Sequence, residues 1–152
     1  MGQAETIFVA SDHAGFSLKT AVLSTLKKEF PETRFQDFGP NSENSVDYPD
    51  FALKVAQEVG HGKGRGILIC GSGLGMCVSA NKINGVRATS AWDVTSARLA
   101  RQHNDANVVC IGARLLGSET AMDAIRTFLK TPFEGGRHAG RVEKIRNLEK
   151  GT

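Results

Sequence analysis

Within six residues, Cys70-Gly71-Ser72-Gly73-Leu74-Gly75, lie a thiol, a hydroxyl and three glycines. A thiol can take and return a proton near neutral pH. A hydroxyl two residues on can hold a polar ligand. Backbone N–H groups bared by glycine at a helix start favour an anion, and the same field favours thiolate over thiol. The residues also allow a plainer reading. Tight strand-to-helix turns use glycine for steric reasons alone, and a cysteine closing a strand is more often an inert core residue.

Three further groups carry usable chemistry. Asp12-His13 pairs a carboxylate that could orient a ligand hydroxyl with an imidazole that could sit near an anion. The alternative is an N-cap aspartate beside a solvated histidine. His103-Asn104-Asp105 closes a helical pattern, where a histidine is stabilised by the dipole and an asparagine suits a left-handed cap without further function. Arg137, Arg141 and Lys144 fall within an arc of about 60° on one helix face. Two arginines near a helix N-terminus oppose the dipole unless an anion sits there. Tyr48 and Trp92 are the only residues of their types, and Tyr48 suits either the core or a contact to a ligand hydroxyl. Cys77 and Cys110 read as core. No pair among Asp12, His13, His103 and Asp105 has metal-ligand spacing on one element, so no metal is expected.

These residues need a frame. Short apolar runs at 6–10, 67–69 and 107–111 read as buried strands, with further strands at 33–38 and 86–91. Helical spacing appears between them: Leu18 to Phe30, Pro49 to Val59, Leu74 to Ile83, a segment capped by Asp93 and running to about Gln102, and one capped by Ser118. The pattern predicts a three-layer αβα fold with a five-stranded parallel, Rossmann-like sheet, and an extra C-terminal helix over 137–150. Ligands of such sheets bind outside the carboxyl ends of strands. Asp12-His13, Cys70 to Ser72, Trp92-Asp93 and Arg114 all follow strands.

Length and composition bound the answer. The 152 residues suit one domain spanning 1–152, and a net charge of +3 gives no case for nucleic acid. No apolar run approaches the roughly 20 residues of a membrane span. No secretory signal is evident at the N-terminus, and Gly2 is discounted as a myristoylation site. An odd number of cysteines argues for a reducing compartment, hence the cytoplasm. The last helix has an apolar stripe of its own after five strand–helix units are complete, which points to burial against a partner chain.

Taken together, the motifs resemble the ribose-5-phosphate isomerase B family, which includes galactose-6-phosphate and allose-6-phosphate isomerases. The match runs from about Ile7 to Glu149. It rests on Ser-Asp-His-Ala-Gly-Phe at 11–16, Asp-Tyr-Pro-Asp at 47–50, Cys-Gly-Ser-Gly-Leu-Gly-Met at 70–76 and Ala-Asn-Lys at 80–82. Arg-Gln-His-Asn-Asp at 101–105, Gly-Ala-Arg at 112–114 and Gly-Gly-Arg-His-Ala-Gly-Arg-Val at 135–142 extend it. The resemblance implies an aldose–ketose isomerisation of ribose 5-phosphate and ribulose 5-phosphate, without metal or cofactor, in the pentose phosphate pathway. It implies a homodimer or tetramer with shared active sites. Cys70 would be the base, in place of a glutamate that some members carry where Met76 stands. His103 would open the furanose ring, Asp12 would hold the sugar, and Ser72 would lie near its oxygens. His13, Arg114, Arg137 and Arg141 would hold the phosphate. Asn104 and the backbone from Gly71 through Gly73 to Gly75 would stabilise the enediolate, and Tyr48 is a suggested substrate contact. Alternatives are a six-carbon phosphosugar or a non-catalytic phosphosugar-binding protein. A dinucleotide-binding module fits poorly, because the glycines follow the third strand rather than the first. A cysteine phosphatase would need arginine at position 76.

Overall fold

The computed structural model describes residues 4–151. Five parallel strands, β1 (Thr6–Ser11), β2 (Arg34–Asp37), β3 (Arg65–Cys70), β4 (Ala88–Ser90) and β5 (Val108–Gly112), form one sheet in the order β2-β1-β3-β5-β4. Among the described residues there are six helices: α1 (Phe16–Glu29), α2 (Tyr48–Gly60), α3 (Leu74–Ala80), α4 (Val94–Asn104), α5 (Ser118–Lys130) and α6 (Arg137–Leu148). The expected three-layer architecture and extra C-terminal helix are both present.

Successive strand residues point to opposite faces, and the core divides accordingly. Ile7, Val9, Ile67, Ile69, Val109 and Ile111 pack with α1, α4 and α5. Phe8, Ala10, Leu68, Cys70 and Cys110 pack with α2 and α3. Both faces of the central strands are thus covered, which is why β1, β3 and β5 read as nearly continuous apolar runs. Gly66 lies inside β3 because the Val55 side chain of α2 would be only 2.6 Å from a Cβ there.

Several boundaries differ from the sequence reading. α3 stops at Ala80, not Ile83. Asn81 leaves the helix to pair with the edge strand: its Nδ2 donates to the Ala88 carbonyl at 2.8 Å and its Oδ1 accepts the Ala88 N–H at 2.8 Å. Gly117, not Ser118, is the N-cap of α5, and Ser118 is its first residue. Asp105, not Asn104, takes the left-handed position after α4, at φ 44°. Asp93 does cap α4, accepting the Ser96 N–H at 2.6 Å in a reciprocal capping box. α6 packs on α4 of its own chain and buries Val142, while Ile145 and Leu148 remain exposed. Among the described residues no helix is long and apolar enough to cross a membrane.

Candidate active site

In this strand order β1 and β3 are neighbours whose following connections diverge, β1 towards β2 and β3 towards β4. That is the switch point where a parallel sheet opens a crevice at its carboxyl edge. The loop after β1 is drawn against β3: the Asp12 N–H donates to the Ile69 carbonyl at 3.1 Å. Gly15 permits the approach, since a Cβ on it would meet the Ile69 oxygen at 2.3 Å. Asp12 turns back on the loop and accepts the Gly15 N–H at 3.0 Å. It is 7% exposed and Cys70 only 3%, both at the floor of the crevice.

The turn from β3 into α3 is built on glycine for two separate reasons. Gly73 has φ 77° and serves as the N-cap of α3. Gly75 lies under the Tyr48 ring. The Gly73 N–H donates to Cys70 Sγ at 3.1 Å, which fixes the sulfur, and the Leu74 N–H donates to Ser72 Oγ at 3.2 Å. Arg114 arrives from the end of β5. Its N–H donates to the Gly71 carbonyl at 2.9 Å, and its guanidinium passes 3.3 Å from where a Gly71 Cβ would stand. The resulting cleft, about 310 Å³, is lined by Asp12, Tyr48, Cys70, Ser72, Gly75 and Arg114 among others. Trp92 and Asp93 do not line it; Asp93 is used as the cap of α4.

His13 sits at the rim beside Asp12, and its Nδ1 accepts the Val46 N–H at 3.2 Å. That bond leaves Nε2 as the proton-bearing nitrogen of the neutral ring. The loop carrying Val46 is anchored from below by Lys19, 1% exposed, whose ammonium donates to Asp37 Oδ1 at 2.7 Å and to the Pro40 carbonyl at 2.8 Å.

The remaining expected site residues are elsewhere. His103 and Asn104 end α4, and the chain then enters β5 at Val108. Val108 pairs with Gly66, whereas Gly112 pairs with Cys70, four residues along the strand. At ~3.3 Å per residue, roughly 13 Å of sheet separates the two levels. His103 and Asn104 therefore lie at the amino edge and Cys70 at the carboxyl edge. Arg137 and Arg141 go with His103, because α6 begins against the end of α4. The Glu134 N–H donates to the Gln102 carbonyl at 3.1 Å, and the His138 ring stacks on His103 with centroids 4.2 Å apart and planes 13° from parallel. Within one chain, the structure brings Asp12, His13, Tyr48, Cys70, Ser72, Gly71, Gly73, Gly75 and Arg114 to one end. It brings His103, Asn104, Arg137 and Arg141 to the other.

His138 and Glu134 are missed by sequence reasoning, because their approach to His103 depends on how α6 folds back. His138 is 3% exposed and neither ring nitrogen has a hydrogen-bond partner. Burial first, then His103 and Arg137, holds its imidazole below the usual range, with Glu134 pulling the other way. Cys110 is core as expected, and burial pushes its thiol well up. Cys77 departs from the core reading. It is half-buried, and chiefly through its hydrogen bond with Cys110 its thiol is lowered to about 6.

Comparison with known proteins rests on nearly the whole chain. The model of the ribose/galactose isomerase family matches residues 7–145. A Mycoplasma genitalium protein named probable ribose-5-phosphate isomerase B is 45% identical, covering 96% of this chain and 97% of its own. A Pectobacterium atrosepticum D-erythrulose-4-phosphate isomerase is 41% identical over 92% of each. A crystal structure of ribose-5-phosphate isomerase B from M. genitalium with bound ribulose 5-phosphate superposes with a TM-score of 0.93 at 43% identity, covering 99% of this chain and 100% of the other. Sheet order, cleft and end-to-end similarity agree, and the chain belongs to the ribose/galactose isomerase family.

Proposed function

We propose that this protein interconverts ribose 5-phosphate and ribulose 5-phosphate by proton transfer through an enediolate. The observation that carries the reading is Cys70 Sγ, held by the Gly73 N–H at the floor of a cleft that also presents Asp12, Ser72 and Arg114. In the forward direction the Cys70 thiolate takes the proton from C2 of the open-chain aldose and gives it back at C1. The C2–H electron pair forms the C1=C2 bond as the aldehyde pair moves onto the C1 oxygen. The C2 hydroxyl proton passes to that oxygen, and the C2 oxygen then forms the ketone as the C1=C2 pair takes the proton at C1. A base of this kind contributes about 10²–10⁴-fold. The charge on oxygen needs fixed donors. Gly73 and Leu74 have given their N–H groups to Sγ and to Ser72. The first helical bond of α3 is Cys77 N–H to the Gly73 carbonyl, so the N–H of Gly75, which lines the cleft, precedes it and remains for the ligand.

The phosphate and ring-opening groups come from a second copy. His103, Asn104, Arg137 and Arg141 cannot reach Cys70 of their own chain, yet two arginines at the start of α6 call for an anion. A two-fold pair, the commonest closed arrangement, would set the amino-edge cluster of one chain over the carboxyl-edge cleft of the other. Exposed Leu74 and Val78 of α3, and Ile145 and Leu148 of α6, supply apolar surface for such a pair. In this reading His103 opens the furanose, Asp12 holds the sugar, and His13, Arg114, Arg137 and Arg141 hold the phosphate. The protein would work in the cytoplasm, where three free thiols persist.

Complementation tests the shared site directly. Cys70→Ala and Arg137→Ala, assayed at substrate far below the raised KM so that each alone is nearly inactive, are mixed, unfolded and refolded together. Random pairing makes half the dimers mixed, each with one intact site, so activity should return to about a quarter of wild type. No recovery would place all the residues in one chain's site and sink the shared arrangement. A second phosphosugar deserves parallel assay, because the Pectobacterium relative is named for a four-carbon substrate.

A further inference from the structure

We propose that His103, Glu134 and His138 form a binding site for a divalent transition-metal ion, zinc above all, and that its occupation removes His103 from the sugar reaction. The second half rests on the role given to His103 above; the binding does not.

Three donors from three segments meet here: His103 from the last turn of α4, Glu134 from the connection before α6, and His138 from the first turn of α6. One ligand atom from each lies within 4.8 Å of the others. The backbone fixes the arrangement, since the Glu134 N–H is bonded to the Gln102 carbonyl and the His138 N–H to the Gly135 carbonyl at 3.0 Å. The independent sign of a ligand is His138 itself. Its ring is 3% exposed, and both nitrogens lack partners. A buried polar group without a hydrogen bond is costly, and such a group asks for something to bind.

The donor set selects the ion. Two imidazoles and one carboxylate suit zinc, copper or nickel, and suit magnesium or calcium poorly. With Zn–N and Zn–O bonds near 2.0–2.2 Å, tetrahedral donors stand about 3.3 Å apart. The cluster must therefore close, by tilting one imidazole out of the parallel stack and swinging the exposed Glu134 carboxylate inward. Three protein ligands leave the fourth position to water. Arg137 and Arg141 oppose a cation nearby, but both side chains are exposed and can turn away, and Glu134 compensates part of their charge. Once its lone pair is on the ion, the His103 nitrogen so used no longer carries a proton to or from the sugar.

The test uses the full chain after chelator treatment. Zinc is titrated by calorimetry, and cobalt(II) is added as a visible probe of four-coordinate geometry. Expected are one ion per chain, intense cobalt bands without a thiolate charge-transfer band, and no heat with magnesium. Glu134→Gln and His138→Gln should each weaken zinc binding at least tenfold, whereas Cys70→Ala should not. Zinc should inhibit the chelated enzyme in parallel with occupancy. Failure of zinc to bind, or binding unaffected by Glu134→Gln and His138→Gln, overturns the site. Loss of inorganic phosphate binding in His138→Gln with zinc binding intact overturns it in favour of an anion site. Stoichiometric binding without inhibition leaves the site standing and refutes the role given to His103.

Discussion

The Tyr48 ring lies directly over Gly75, with its Cζ 2.6 Å from where a Cβ on Gly75 would stand. Tyr48 is 41% exposed, so the ring forms a wall of the cleft with one side in solvent. Gly75→Ala must therefore push the ring or the helix start away. The expected result is a fall in kcat/KM of about tenfold or more, equivalent to ~1.4 kcal/mol of transition-state stabilisation. In a Tyr48→Ala background the same change should cost much less, because neighbours in contact are non-additive. Equal costs in both backgrounds would show that the ring does not rest there in solution.

Cys70→Ala should lower kcat by about 10²–10⁴-fold, the usual worth of a positioned acid–base group. The fold should persist, because alanine keeps most of the apolar contact with Ala10 and Met76. In heavy water the wild type should exchange substrate hydrogen at the reacting carbons, and the variant should not. Turnover near normal would pass the base role to Asp12.

Cys77 should be alkylated by iodoacetamide at a rate that climbs through pH 6 and levels off near neutrality. Its hydrogen bond with Cys110 lowers the thiol to about 6, so thiolate prevails above that pH. An ordinary thiol, near 8.5, would still be climbing at pH 8. Mass spectrometry of the labelled peptide separates Cys77 from Cys70. A Cys77 midpoint above pH 8 contradicts the expectation, and inactivation studies of Cys70 belong in a Cys77→Ser background.

Arg137→Ala should raise KM for the phosphosugar by roughly 10–100-fold, as loss of one charge-assisted hydrogen bond implies. A smaller drop in kcat should accompany it if the phosphate helps to place the reacting carbons. Unchanged KM would remove Arg137 from the phosphate site.

Lys19→Met should cost about 1–3 kcal/mol in urea unfolding, because the Pro40 carbonyl and the Asp37 carboxylate lose their donor. The loop that ends in Val46 and steadies His13 should loosen with it, so KM should rise in the folded variant. A stability change within error would mean that water replaces the ammonium without cost.

The sequence shows one end of the molecule better than the other. Cys70 closes β3, and Asp12, Ser72 and Arg114 follow their strands within two residues, and a parallel sheet gathers whatever stands at its strand ends. Local pattern alone therefore assembles the cleft. Tyr48 over Gly75 is different, because it depends on where a loop returns after about ten residues. The gathering of His103, Glu134 and His138 depends on α6 turning back onto α4, which no periodicity encodes. The error at Cys77 has the same origin. Its spacing on α3 resembles a core position, but α3 ends at Ala80 and leaves one side of the thiol open. Asn81 reads as part of the helix until its side chain is seen bonded to β4.

The sheet is long in the middle and short at its margins. β1 and β3 have six residues each, whereas the margins are β4 with three and β2 with four. An unpaired strand edge is a template for aggregation, and brevity is one of the means by which proteins blunt it. A concentrated solution of this chain therefore has little free backbone left to zip strand onto strand into fibrils.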